Sequence, residues 1–175
     1  LTNTGKLREY VEELKRLKVH VIRPSINNCF AEFKADTNKI FYGLGAIKSV
    51  GFEAVSNIVT EREKNGKFNT FTDFINRVDP KDINKLQLEG LVKAGAFDEI
   101  DLNRKKLYDD IPKIIQTIKS KYDEKVSNQT NLFDDINNKD NETFKFSSTK
   151  SWTKKELLAE EFASLGFYIS DHPLN

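Results

Sequence analysis

Three short strings in this 175-residue chain have residue types and spacing that could do chemistry. The first is Lys48-Ser49-Val50-Gly51, a turn of small residues between two apolar helical patterns. A tight reversal there leaves backbone N–H groups at the start of the next helix pointing outward, where they can hold a phosphate oxygen. Contacts of that kind grip a nucleic-acid backbone without reading its bases. The same pattern also suits an ordinary helix–helix connection. The second string, Lys93-Ala94-Gly95, ends an apolar helix that includes Leu88 and offers a sparser version of the same turn. The third, Gln129-Thr130-Asn131-Leu132-Phe133, sets two apolar side chains in a polar stretch. An extended peptide can seat Leu132 and Phe133 in a partner's pocket while the Gln129 amide bonds at its rim. Five such residues also occur by chance in low-complexity sequence.

Catalytic and metal-binding sets are not evident. His20 and His172 are isolated, and Cys29 has no His near it in sequence. The spacings CxxC, HExxH and GxxxxGK[ST] do not occur, so thiol, zinc and nucleotide-loop chemistry have no anchor. Asp109-Asp110 and Asp134-Asp135 could bind Mg²⁺, but neighbouring residues on a helix point in different directions, and cap or turn roles suit them better. We therefore expect no catalytic residue, no metal site and no cofactor in this chain. With 28 basic and 27 acidic side chains the net charge is +1, so any nucleic-acid contact must be local. The single cysteine excludes an internal disulfide framework. No long apolar run is present, which argues against a membrane span and for the cytoplasm. The chain starts at Leu1 and contains no Met, and we expect it to be a piece of a longer protein.

The elements that must position these strings are mainly helical. Thr4 can cap a helix with Leu7, Tyr10, Val11, Leu14 and Leu17 on one stripe. Segments 29–33 and 40–42 flank turn chemistry at Asp36-Thr37-Asn38-Lys39 and predict a short β-hairpin. From Gly43 the spacing predicts a short helix, the glycine turn, and a longer helix that carries Val55, Ile58 and Val59 and ends at Asn65-Gly66. Thr70 precedes a helix with Phe71, Phe74, Ile75 and Val78, which Asp79-Pro80 breaks. Another helix covers about 83–94 and stops at Gly95. Asp101 can cap a further one near Leu102, and Pro112 must kink it or open a second helix behind Asp110. Between about 126 and 150 polar residues dominate without periodicity, predicting a flexible linker. Thr153 and Glu156 then form a capping-box pattern, with Trp152 and Leu157 as a hydrophobic staple, before a last helix that Gly166 ends.

Four strings in order, Pro24-Ser25-Ile26-Asn27, Phe41-Tyr42-Gly43-Leu44-Gly45-Ala46-Ile47-Lys48, 88–98 (LEGLVKAGAFD) and 165–174 (LGFYISDHPL), resemble the bacterial DNA polymerase III alpha-subunit family. The resemblance covers nearly the whole chain. It implies the end of a fingers domain over 1–26 and a tandem helix-hairpin-helix module that binds double-stranded DNA over 27–125. It further implies a linker with a sliding-clamp-binding motif over 126–150, and a helix and connector toward an OB-fold domain over 151–175. On this basis Lys48, Ser49, Val50, Gly51, Lys93, Ala94 and Gly95 are expected at DNA. Gln129, Thr130, Asn131, Leu132 and Phe133 are expected at the beta sliding clamp. Other DNA polymerase III holoenzyme subunits are further implied partners. The family's nucleotidyltransferase chemistry uses Mg²⁺ held by aspartates outside this stretch, so the piece alone is expected to be inactive. Ser49 stands where the family often has Gly, and Phe52 where it often has a polar residue. From the residues alone, a helix-hairpin-helix protein of repair or recombination, or a protein-binding scaffold, remains open.

Overall fold

The computed structural model of this chain describes residues 4–130, 142–147 and 149–167, with side chains from residue 5 to residue 127 in the first of these segments. Helix α1 (Thr4–Arg16) leads into strand β1 (His20–Ile22), then β2 (Lys34–Asp36) and β3 (Lys39–Phe41). A 3₁₀ turn (Leu44–Ala46) precedes α2 (Phe52–Asn65), followed by α3 (Phe71–Arg77), a second 3₁₀ turn (Pro80–Asp82) and α4 (Lys85–Lys93). Helices α5 (Arg104–Asp109), α6 (Ile111–Thr130) and α7 (Lys154–Leu165) complete the order. The architecture is mainly α with one small sheet of order β1-β3-β2.

The hairpin forms around Asp36-Thr37 as its turn chemistry predicts, but its first strand is Lys34–Asp36 rather than 29–33. Residues 29–33 make compact turns instead: Cys29 and Ala31 are buried, and the Phe30 and Ala31 carbonyls accept the Leu44 and Gly45 N–H groups. Strand β1 joins β3 in parallel, a pairing that three residues of weak alternation did not announce. On α1 only Leu7 and Val11 are buried, while Tyr10 is 58% exposed and Leu17, just past the helix, 61%, so the expected five-residue stripe narrows to Leu7 and Val11 with Leu14 half-buried.

The helical core centres on aromatic rings from α3 and the loop after α4. Phe74 meets Phe97 edge-on at 4.9 Å between ring centres, and Phe71 meets Phe97 at 5.2 Å. Leu88, Leu91, Leu107, Ile111, Ile114 and Ile118 close around them. Caps set several boundaries. Thr70 accepts the Asp73 N–H and opens α3, and Gly66 ends α2 at φ 92°. Asn103, not Asp101, caps α5, because the Asp101 carboxylate accepts the Asn103 N–H one step earlier. Pro112 sits in the first turn of α6, where its missing N–H is no loss, so the break at Asp110 opens a new helix. The capping box of Thr153 and Glu156 forms, and Gly166 closes α7 in the left-handed region.

Parts of 126–150, expected to be a flexible linker, take up structure among the described residues. Helix α6 continues to Thr130, and residues 142–147 are fixed to the helices. Phe144 and Phe146 are half-buried against the core, the Thr72 hydroxyl accepts the Phe144 N–H at 2.9 Å, and the Asp110 carboxylate accepts the Ser147 N–H at 2.7 Å. Two aromatic side chains two residues apart lie on one face of an extended chain, a period that a search for helical faces passes over.

Candidate nucleic-acid interface

Residues 48–51 form the reversal between the first 3₁₀ turn and α2. Lys48, Ser49 and Gly51 are exposed, while Val50 turns inward at 7% exposure. Ser49 takes a left-handed φ of 67°, which a residue with a Cβ adopts at a cost. Its neighbour is held from both sides. The Lys48 N–H donates to the Ser164 carbonyl at 2.9 Å, and the Lys48 carbonyl lies against Gly90, where a Cβ would come within 2.5 Å of it. Gly90 is thus a glycine because backbone passes over backbone there.

The α2 end of this reversal has no side-chain cap. Gly51 is the N-cap and supplies no side-chain hydrogen bond, and the first intrahelical bond runs from the Val55 N–H to the Gly51 carbonyl. The N–H groups of Phe52, Glu53 and Ala54 therefore precede the helical ladder. Lys48 adds a positive charge and makes no ion pair among the described residues, whereas the exposed Glu53 carboxylate stands in the same first turn. Val50 has its N–H engaged by the Ile47 carbonyl at 3.2 Å, so it supports the turn rather than offering a donor.

Lys93, Ala94 and Gly95 are differently placed. The N–H groups of Ala94, Gly95 and Ala96 donate to the carbonyls of Gly90, Val92 and Leu91, and Ala94 and Gly95 are buried. Gly95 has φ 82° and lies against the Arg104 guanidinium, with no room for a Cβ. Lys93 pairs with Glu160 at 3.1 Å and lies over the Tyr108 ring. This turn offers a partly exposed ammonium and no spare amide.

The start of α4, not its end, adjoins Gly51. The Gln87 Nε2 lies 3.3 Å from where a Gly51 Cβ would stand, so the first turns of α2 and α4 are neighbours. Helices α3 and α4, joined through the second 3₁₀ turn, form a second helical pair after the first, which is made of the 3₁₀ turn Leu44–Ala46 and α2. Asn84, whose side-chain amide oxygen accepts the Gln87 N–H, caps this start of α4, and Lys85 beside it is exposed. Sequence reasoning passed over them, although the Asp79-Pro80 break followed by an Asn cap was the available signal.

Buried charge holds the two helical pairs to their surroundings. Arg62, 4% exposed, donates from Nη1 to the Ile26 and Cys29 carbonyls at 2.9 and 2.5 Å, tying α2 to the turns before the sheet. The same guanidinium, by hydrogen bond and charge, holds the Glu63 carboxyl below its usual range. Arg104 is buried with Asp98 at 2.7 Å and Glu161 at 3.3 Å. Burial works against its charge, and the two carboxylates more than offset that, raising it above its ordinary value. In the third string, Gln129 and Thr130 end α6, and Asn131, Leu132 and Phe133 lie outside the described residues.

A family model described as a helix-hairpin-helix motif matches residues 18–107, which span both helical pairs and the sheet. The chain belongs to the helix-hairpin-helix family. Its relatives place that motif in a larger protein. Over 100% of its length the chain is 41% identical to the DNA polymerase III subunit alpha of Borreliella burgdorferi. Over 99% it is 34% identical to that of Caulobacter vibrioides and 35% identical to that of Campylobacter jejuni. The chain spans 15% of the length of each of these relatives. Among the described residues no group of three or more His, Cys, Asp or Glu is placed to hold a metal ion, and no helix is long and apolar enough to cross a membrane.

Proposed function

We propose that this chain is the helix-hairpin-helix portion of a replicative DNA polymerase, where it holds duplex DNA without base specificity and carries a peptide for the beta sliding clamp. The observation that supports the DNA contact best is the uncapped start of α2 behind Gly51, with Lys48 exposed beside it. Backbone amides and a flexible lysine recognise phosphate wherever it lies along the duplex, and among the described residues no exposed helix gathers the Arg, Asn and Gln that read base edges. Lys48, Ser49 and Gly51 form the first contact in this reading and Val50 shapes it. Lys93 gives a secondary charge near Ala94 and Gly95, while Asn84 and Lys85 extend the face.

Residues 129–133 are the clamp peptide in this reading, Leu132 and Phe133 filling a pocket and Gln129 bonding at its rim. Polymerisation belongs to the parent: a nucleotidyltransferase using Mg²⁺ in the cytoplasm, with other holoenzyme subunits as partners. In this reading the aspartates that hold the Mg²⁺ belong to another part of the parent. The test is a titration of the chain against purified beta sliding clamp. Wild type binds, and Leu132→Ala with Phe133→Ala abolishes binding; equal affinity of the two forms would remove the clamp from the account.

A further inference from the structure

The hairpin at residues 48–51 runs directly into a large apolar side chain that the fold leaves in water. Phe52, the first residue of α2, is 54% exposed, the most exposed phenylalanine among the described residues. It belongs neither to the core cluster nor, among the described residues, to any ring pair. The ring is nonetheless held in place. A Cβ on Gly45 would come within 2.9 Å of the Phe52 Cδ2 and 3.0 Å of the Ala31 carbonyl oxygen, so one ring edge rests on the 3₁₀ turn Leu44–Ala46. Gly45 is a glycine because ring and backbone close on it from both sides. Its N–H donates to the Ala31 carbonyl at 2.9 Å, which fixes that turn to the segment before the sheet's hairpin. Phe52 is thus seated at one edge, with the rest of its surface open, in the stretch that also exposes Lys48, Ser49 and Gly51.

We propose that Phe52 packs on a deoxyribose of the strand that the hairpin holds, and that this contact favours DNA over RNA. The inference rests on the duplex-DNA reading above, to which the helix-hairpin-helix match over residues 18–107 contributes, and it names the sugar as a further group recognised there. A nucleic-acid backbone alternates charged phosphate with the apolar face of a sugar. Lys48 suits the phosphate. Within 48–52 Phe52 suits the sugar, since Val50 turns inward at 7% exposure. Ring carbons against C2′ meet hydrogen in deoxyribose and a hydroxyl in ribose, the group by which proteins tell the two apart. Pressed on the ring, that hydroxyl loses water and gains no hydrogen bond in exchange. The ring contact removes apolar surface from water and releases no counterion, so its contribution is insensitive to salt where that of Lys48 is not.

The experiment titrates wild type, Phe52→Ala and Phe52→Tyr against two labelled duplexes of one sequence, all DNA or with one strand of RNA, between about 25 and 200 mM salt. Wild type favours the all-DNA duplex. Phe52→Ala binds that duplex about fivefold more weakly at every salt concentration, with the salt slope unchanged. Its preference over the hybrid shrinks about threefold or more, because the stranded hydroxyl is relieved. Phe52→Tyr, which keeps the ring on Gly45, retains both the affinity and the preference. The preference is a ratio measured on one protein, so a lower folded fraction in Phe52→Ala cancels out of it and a merely structural role does not move it. Unchanged affinity of Phe52→Ala for DNA overturns the contact, and so does a slope made shallower, which marks a lost charge effect. A preference that survives Phe52→Ala in full comes from duplex shape and overturns the choice of sugar. Absence of wild-type binding to either duplex at the lowest salt removes the DNA reading and this inference with it, an outcome distinct from binding that ignores Phe52.

Discussion

Ser49 is the residue on which the hairpin's geometry turns. Its φ of 67° is a conformation that glycine adopts freely and other L-residues adopt at about 1 kcal/mol. Ser49→Gly relieves that strain but adds freedom to the unfolded chain, so the net gain in stability is about 0.5 kcal/mol, read as a rise in the urea midpoint. Gly90→Ala acts in the opposite sense, since a methyl at 2.5 Å from the Lys48 carbonyl forces α4 and the hairpin apart. A loss of about 2 kcal/mol, or roughly 5 °C in Tm, is expected. Cys29 tests the packing behind the sheet. Burial pushes its thiol up to about 11, partly countered by hydrogen bonds to backbone and by the Arg62 charge. At pH 8 its thiolate is then on the order of a hundredfold scarcer than that of an unfolded cysteine, so iodoacetamide should label the native chain about that much more slowly. Rapid native labelling would mean that the 25–31 turns open readily.

Among elements, α7 binds the first and second helical pairs together. Its Ser164 carbonyl takes the Lys48 N–H, Glu160 pairs with Lys93, and Glu161, fully buried, reaches Arg104. Removing one partner of a buried ion pair strands the other, so Glu161→Ala should cost about 3 kcal/mol by urea unfolding. Replacing both, as Glu161→Leu with Arg104→Met, should recover part of that loss unless Asp98 is left stranded in turn. The helices with local caps were legible in sequence: Thr70, Gly66, Thr153 with Glu156, and Gly166 act where their chemistry says. What was not legible is long-range. Nothing local marks β1 as a parallel partner of β3, and nothing marks Gln87 as a neighbour of Gly51. The turn at residues 48–51 was identifiable from its small residues, whereas the fate of the Ala94 and Gly95 amides depended on which carbonyls the folded chain supplied.

At the scale of the molecule, a net charge of +1 and one exposed hairpin lysine give a modest electrostatic footprint. Binding to duplex should be weak, indifferent to sequence and steeply weakened by salt, because each phosphate neutralised releases close to one counterion. A strong preference among random duplexes would instead point to base readout and away from the backbone-gripping design. The most direct measurement of the central claim is the affinity of the chain for a short labelled duplex between about 25 and 200 mM salt, made with wild type and with Lys48→Ala. Wild type should bind at low salt with a linear fall of log affinity against log salt, and Lys48→Ala should bind more weakly with a slope shallower by about one. Duplex affinity and slope untouched by Lys48→Ala, or no binding at the lowest salt, would contradict it.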